Sequence, residues 1–266
     1  MVESATSPGA SSDPPSDEGS PRRDAGLAGD ALLRPVRTGN AFEDTVSRLL
    51  QTVRLGMVGP GEALPSERDL ALRFGVSRDT VRDAIRALAD AGFVVSKRGR
   101  YGGTFVNERV PLVGLRGVLD EADSQETFTA EGLDDVLGLR SILEVGAARA
   151  AAGRTLSKGQ RERLWTSLRE TSAASVDDYR RLDSRLHLAI GEVVGVASLM
   201  PLLADNRMRI NELLDRIPLL ERNIDHSNEQ HEQIVLAILV GDAERAGEAM
   251  HEHLGGSEAL LRGFLA

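Results

Sequence analysis

Apolar residues recur along most of the chain at three- and four-residue intervals, and turn residues interrupt that rhythm. The first run is Phe42, Val46, Leu49, Leu50 and Val53, which predicts an amphipathic helix from Ala41 to about Leu55-Gly56, followed by the turn Gly59-Pro60-Gly61. Ser66 is then placed to cap a short helix whose buried side is Leu70, Ala71 and Phe74 and which Gly75 stops. Val76-Ser77 leads into a second helix from Arg78 to about Ala91, capped by Ser77, with Val81, Ile85 and Leu88 facing inward. After Gly92 the pattern becomes β-prone at Phe93-Val94-Val95-Ser96 and Thr104-Phe105-Val106, and the basic, glycine-rich residues between them form a hairpin tip. Beyond Val106 the helical period returns near 133–153, 157–173, 177–195, 198–216, 223–240 and 242–263, separated by turn residues such as Gly153, Ser157, Ser175, Pro218 and Gly241-Asp242. One more short helix is expected around Leu112–Leu119. The expected fold is mainly α: an N-terminal winged helix-turn-helix domain plus a C-terminal all-α antiparallel helical bundle of six or seven helices.

These patterns divide the 266 residues into a disordered tail over 1–38, a winged helix-turn-helix domain over 39–108, a linker over 109–130 and a helical domain over 131–266. The tail is crowded with Ser, Pro, Gly and Asp and has too few apolar residues to order itself. With no cysteine, disulfides and thiolate metal sites are excluded, so any metal must sit on His, Asp or Glu. No stretch approaches the roughly 20 apolar residues of a membrane span, so a cytoplasmic protein without a membrane partner is expected. The net charge of -9 argues against nucleic acid until it is resolved by segment. Residues 1–39 carry 4 Lys/Arg against 6 Asp/Glu, residues 40–107 carry 10 against 8, and residues 108–266 carry 18 against 27. Only the middle segment is net basic, by two charges, and location matters more than total.

Two short helices around a tight Gly-Val-Ser turn, followed by a basic hairpin, present a recognition helix to the major groove and a wing to the backbone or minor groove. Arg78 and Arg82 lie four apart on the exposed side of the second helix, where guanidinium groups reach base edges. Arg68 suits a phosphate contact, and Arg98, Gly99 and Arg100 let the wing approach the duplex, with Ser77 and Thr80 completing the candidate set. Asp79 is an unusual neighbour for a phosphate surface unless it caps the helix or reads a cytosine amino group.

In the helical domain, Asp183 and His187 are four apart and share a face, His231 begins the helix ending at Val240, and His253 lies one turn from the end of the last helix. An Asp/His/His/His set with open positions would suit a divalent transition metal, Zn, Ni or Mn, with water or an anionic ligand completing the shell. Spacing alone leaves open whether these histidines converge or are ordinary buried or surface residues.

The segments Gly59-Pro60-Gly61, Leu64-Pro65-Ser66-Glu67-Arg68, Val76-Ser77-Arg78, Val81-Arg82-Asp83-Ala84-Ile85 and Gly103-Thr104-Phe105-Val106 resemble the DNA-binding domain of the GntR superfamily over about 65 residues. By that similarity Arg68, Arg78, Arg82, Gly99 and Arg100 contact DNA. From about Leu133 to Leu254 the chain resembles the FCD effector domain of the FadR subfamily, with Arg140-x-x-x-Glu144, Asp183-x-x-x-His187, His231, Gly241-Asp242-x-x-x-Ala246 and His253-Leu254. The resemblance implies that Asp183, His187, His231 and His253 hold a metal ion. It also makes Arg140 the partner of an effector carboxylate, the alternative being a structural salt bridge with Glu144. Val196 stands where the family often has Asn, and His226 and His251 have no counterpart in the metal pattern.

The function implied is a homodimeric regulator that binds double-stranded operator DNA and is a repressor released by a small-molecule carboxylate. Two alternatives are a metal-dependent hydrolase-like enzyme and a metal-free structural dimerisation bundle. Against the enzyme, His231-Glu232 is followed by no second His four positions on, so the zincin pattern is missing.

Overall fold

The computed structural model describes Met1 and residues 41–99, 102–111, 130–217, 219 and 221–265. The expected tail, the helix around Leu112–Leu119 and Arg100 therefore lie outside the described residues.

Three helices and a hairpin form the N-terminal domain: α1 (Ala41–Arg54), α2 (Glu67–Phe74), α3 (Arg78–Asp90), β1 (Val94–Lys97) and β2 (Gly103–Val106). The helix boundaries follow from capping. Ser66 accepts from the Asp69 amide and Ser77 from the Thr80 amide, while Gly75 closes α2 at φ 69, a left-handed turn that glycine adopts without strain. Val46, Leu49 and Val53 of α1, Leu70 and Phe74 of α2 and Val81, Ile85 and Leu88 of α3 share one core with Phe93, Val94 and Val106. The strands pair antiparallel, Val94 opposite Val106 and Lys97 opposite Gly103. A short third segment joins them, because the Val106 amide donates to Glu62 O at 3.0 Å and the Leu64 amide to Thr104 O at 2.8 Å. No apolar alternation marks that segment in the sequence; backbone hydrogen bonding alone places it.

Six helices follow: α4 (Ala130–Ala152), α5 (Lys158–Ser172), α6 (Val176–Val194), α7 (Leu199–Leu214), α8 (Glu221–Val240) and α9 (Ala243–Leu265). Serines again start two of them, with a reciprocal capping box between Ser157 and Gln160 for α5 and a Ser175 cap for α6. α4 packs against α6, α7, α8 and α9, and α8 against α9, so α4, α6, α8 and α9 enclose a common interior. Their aliphatic seam includes Ala148, Ala151, Leu186, Ile190, Ile234, Ile238 and Ala249. The observed spans of α8 and α9 correct two placements. His231 and His253 sit mid-helix rather than at a helix start and near a helix end, and both lie on the buried face, in register with Ile234 and Ile238 and with Ala246, Ala249 and Met250.

The two domains meet at the end of α1. Leu55 and Met57 pack with Leu188, Met200, Leu203 and Ala204 of α6 and α7, and Gln51 Nε2 donates to Asp205 Oδ1 at 2.8 Å.

Candidate functional site

Three helices bring four polar side chains to one point inside the bundle. α6 contributes Asp183 and His187, α8 His231 and α9 His253, with one ligating atom of each within 4.8 Å of all the others. The three histidine Nε2 atoms form a near-equilateral triangle, 3.3 Å from His187 to His231 and 3.2 Å along the other two sides. Asp183 Oδ1 lies 3.2 Å from His231 Nε2 and 3.7 Å from His187 Nε2.

The outward nitrogens explain which edge of each ring faces the centre. His187 Nδ1 donates to the Glu144 carboxylate and His253 Nδ1 lies 3.2 Å from Gln230 Oε1, which leaves both Nε2 lone pairs directed inward. Bare lone pairs this close repel unless a cation sits among them. Ligands at about 2.1 Å in tetrahedral array stand about 3.4 Å apart, so the observed spacings fit a first-row metal of that coordination. Burial keeps the His187 and His253 imidazoles well toward their neutral, ligating form, lowering both below the ordinary histidine value. Among the described residues this donor set is the one cluster of its kind, and its chemistry fits a borderline divalent ion.

Two buried groups set the charge around it. Arg207 of α7 is fully buried, contacts the Asp183 carboxylate through Nη2, and places Nη1 3.6 Å from Glu144 Oε1. Arg140 of α4 places Nε 3.3 Å from the same Glu144 oxygen and donates to Ser257 Oγ at 2.7 Å. Burial by itself would raise both carboxyls. His187, Arg140 and Arg207 instead pull Glu144 down, and Arg207 with His187 and His231 pulls Asp183 well down, so both are carboxylates at neutral pH. The pairing of Arg140 with Glu144 left open by the sequence is thus present, and Arg140 still lines the adjoining cavity.

That cavity measures about 350 Å³ and is walled by Arg140, Tyr179, Arg180, Asp183, Asn211 and His253, among others. It is the size of small-ligand sites. Two members of the donor cluster, Asp183 and His253, and two guanidinium groups share its wall.

On the N-terminal domain, Arg68, Ser77, Arg78, Arg82, Arg98 and Gly99 are exposed and Thr80 is half-buried. Ser77 and Thr80 share a hydroxyl hydrogen bond of 2.8 Å at the start of α3. Arg82 is not a free cation: its guanidinium lies 2.8 Å from Asp79 and 3.1 Å from Glu67, so it ties α2 to α3. Asp79 therefore acts as a holder of Arg82. In the wing, Lys97 Nζ lies 4.7 Å from the Phe105 ring centroid, and a Cβ on Gly102 would stand 2.5 Å from the Lys97 carbonyl, so only glycine closes that tip.

Arg207 and Arg180 were not among the residues expected at the site. Arg207 does carry a signal, since it falls in register with Met200, Leu203, Ala204 and Ile210 on the buried face of α7, where an apolar residue is the default.

Comparison with known proteins agrees with both halves. Residues 42–106 match the model for bacterial regulatory proteins of the gntR family, and residues 135–256 match the FCD domain. The putative L-lactate dehydrogenase operon regulatory protein of Escherichia coli (strain K12) is 28% identical over 240 residues, covering 88% of this chain and 90% of that protein. The transcriptional regulator LutR of Bacillus subtilis (strain 168) is 29% identical over 223 residues, covering 80% and 97%. Among solved structures, E. coli McbR/YncC superposes with a TM-score of 0.51 at 17% identity, covering 85% of this chain and 99% of that one, a likeness of fold.

Proposed function

This chain belongs to the GntR family, joining its helix-turn-helix domain to an FCD domain, and on that premise we propose that it is a transcription regulator whose operator affinity is set by a small carboxylic acid bound beside a metal ion. The observation that carries the reading is the shared wall: Asp183 and His253 of the donor cluster line the same cavity as Arg140.

Asp183, His187, His231 and His253 would hold the ion, Zn, Ni or Mn, which when bound supplies a Lewis-acid anchor for a carboxylate oxygen. Arg140 offers a charge-assisted hydrogen bond to the same acid. Arg207 and Glu144 fix the orientation and charge of Asp183 and His187. The regulator named for L-lactate dehydrogenase in E. coli makes 2-hydroxy acids a sensible first class to try.

On the DNA side, Arg78 would reach base edges from α3, while Arg68 and, at the wing, Arg98 and Gly99 approach phosphates. Arg82, released from Asp79, would join them; Arg100, Ser77 and Thr80 complete the proposed surface. With a net surplus of two charges over residues 40–107, one copy has a weak electrostatic hold. We therefore propose a homodimer that reads two half-sites, acting as a repressor released by the acid.

The test is selection of a duplex from a random pool, followed by fluorescence anisotropy on untagged protein with and without the acid panel. Retention of a defined near-palindromic duplex, weakened by an acid, is expected; failure to retain any duplex at low salt overturns the reading. Elemental analysis of the same untagged sample should show one transition metal per chain. Its absence after growth in metal-replete medium would remove the ion from the account.

A further inference from the structure

The cavity wall carries a second guanidinium, Arg180, to which the reading above gives no role. Arg180 Nε lies 3.1 Å from Asp215 Oδ1, and its Nη2 donates to Leu214 O, the last carbonyl of α7, and to Ile217 O in the turn beyond it, the latter at 3.4 Å. The other oxygen of the same carboxylate, Asp215 Oδ2, faces Arg54 Nη2 at 3.5 Å. Arg54 stands in the last turn of α1, in the N-terminal domain. One carboxylate thus has one oxygen toward a cavity residue and the other toward the DNA-binding domain, and all three side chains are mostly covered, at 18%, 28% and 15% exposure for Arg180, Asp215 and Arg54.

The surroundings make that point mechanically sensitive. Gln51 and Leu55, on either side of Arg54, are both anchored on α7, and Gly56, at φ 68, lies so close to Arg181 that a Cβ would stand 3.0 Å from its Cγ. α1 also shares a core with the recognition helix, through Val46, Leu49 and Val53 against Val81 and Ile85. A shift at the end of α1 therefore carries into α3, because packed cores move as units.

Charge supplies the drive. Among the described residues lining the cavity, Arg140 and Arg180 are the cations and Asp183 the one carboxylate. An entering acid competes with Asp215 for Arg180. Burial lowers the Arg180 pKa in spite of Asp215 and Asp183, so this guanidinium gains from a further anion.

We propose that Arg180 is a second anion anchor of the cavity and that the Arg180–Asp215–Arg54 relay passes its occupancy to α1. The acid draws Arg180 away, Asp215 turns to Arg54, and the end of α1 shifts on α7. This rests on the regulator reading for its purpose, though not for its geometry.

Hydrogen–deuterium exchange of the segment Ser47–Val58 in the full chain tests it. Arg180→Gln should change exchange there about fivefold or more, the low end of an ordinary coupling free energy. On an Asp215→Asn background the same substitution should add nothing. An unchanged segment in folded Arg180→Gln, or an equal change on the Asp215→Asn background, overturns the relay. Arg180→Lys serves if Arg180→Gln does not fold, since it keeps a donor for the Leu214 and Ile217 carbonyls and breaks the fork geometry. Sodium L-lactate and sodium malonate are the probe acids. A shift in Ser47–Val58 produced by either one in the wild type should vanish in Asp215→Asn, and its persistence there overturns the relay. Duplex retention on the same samples separates the two proposals: no retention with the exchange coupling intact overturns the regulator reading alone.

Discussion

Replacing Arg207 with methionine isolates the charge design of the bundle. Arg207 is fully buried and faces two carboxylates, Asp183 at 13% side-chain exposure and Glu144 at 2%. Methionine has comparable length and no charge, so packing is largely kept while both carboxylates lose a cation. Removing one partner of a buried pair costs about 3–5 kcal/mol. Glu144 keeps Arg140 and His187, and Asp183 keeps His231 at 3.2 Å, so the lower end of that range, about 3 kcal/mol, is expected. That corresponds to a melting point lower by about 10 °C for a domain of this size. The assay is urea unfolding in the presence of a chelator at neutral pH. Adding Asp183→Asn to Arg207→Met removes one orphaned charge and should recover about 1–2 kcal/mol. A loss below about 1 kcal/mol in the single variant, or a double variant no more stable than the single, would refute the argument that Arg207 offsets these charges.

Three further outcomes follow from the same structure. Arg78→Ala should weaken binding to the selected duplex by about 1–3 kcal/mol and relax its preference at one position, whereas Arg68→Ala should weaken all duplexes alike and reduce the salt slope by about one; anisotropy across a salt series and a mutated-site panel distinguishes them. Gly191→Ala should cost about 1–3 kcal/mol, because its Cβ would stand 2.3 Å from Leu203 Cδ1 within a buried cluster. Gly247→Ala would place its Cβ 2.5 Å from Arg149 Cγ, but that side chain is half-exposed and can swing into solvent, so the substitution should cost less than Gly191→Ala, and thermal melts compare the two. In chelator, stability should fall as pH drops below about 6.5, where unfolded histidine gains a proton that buried His187 and His253 refuse, with a slope of at most about 1.4 kcal/mol per pH unit for each. Urea midpoints that stay flat or rise between neutral and mildly acidic pH contradict that sign.

What the sequence determined by itself is what neighbours in the chain decide. Ser66, Ser77, Ser157 and Ser175 cap because a hydroxyl reaches an amide three residues on, and Gly75 and Gly195 stop helices because they adopt a left-handed turn cheaply. The 3.6-residue period settled which faces turn inward, and a four-residue spacing was enough to put Asp183 and His187 side by side. Their meeting with His231 and His253 was another matter. Those residues lie 44 and 66 positions from His187, and only the packing of α6, α8 and α9 brings the three rings within hydrogen-bond distance. Packing likewise decided the roles of the arginines. Arg78, Arg82, Arg180 and Arg207 are alike in the sequence, yet one is exposed, one ties α2 to α3, one bridges the cavity and a domain joint, and one is sealed between two carboxylates. A long flexible cation has no local rule for its partner; its place follows from which carboxylates the tertiary structure buries nearby, because a charge out of water must find its counterion there.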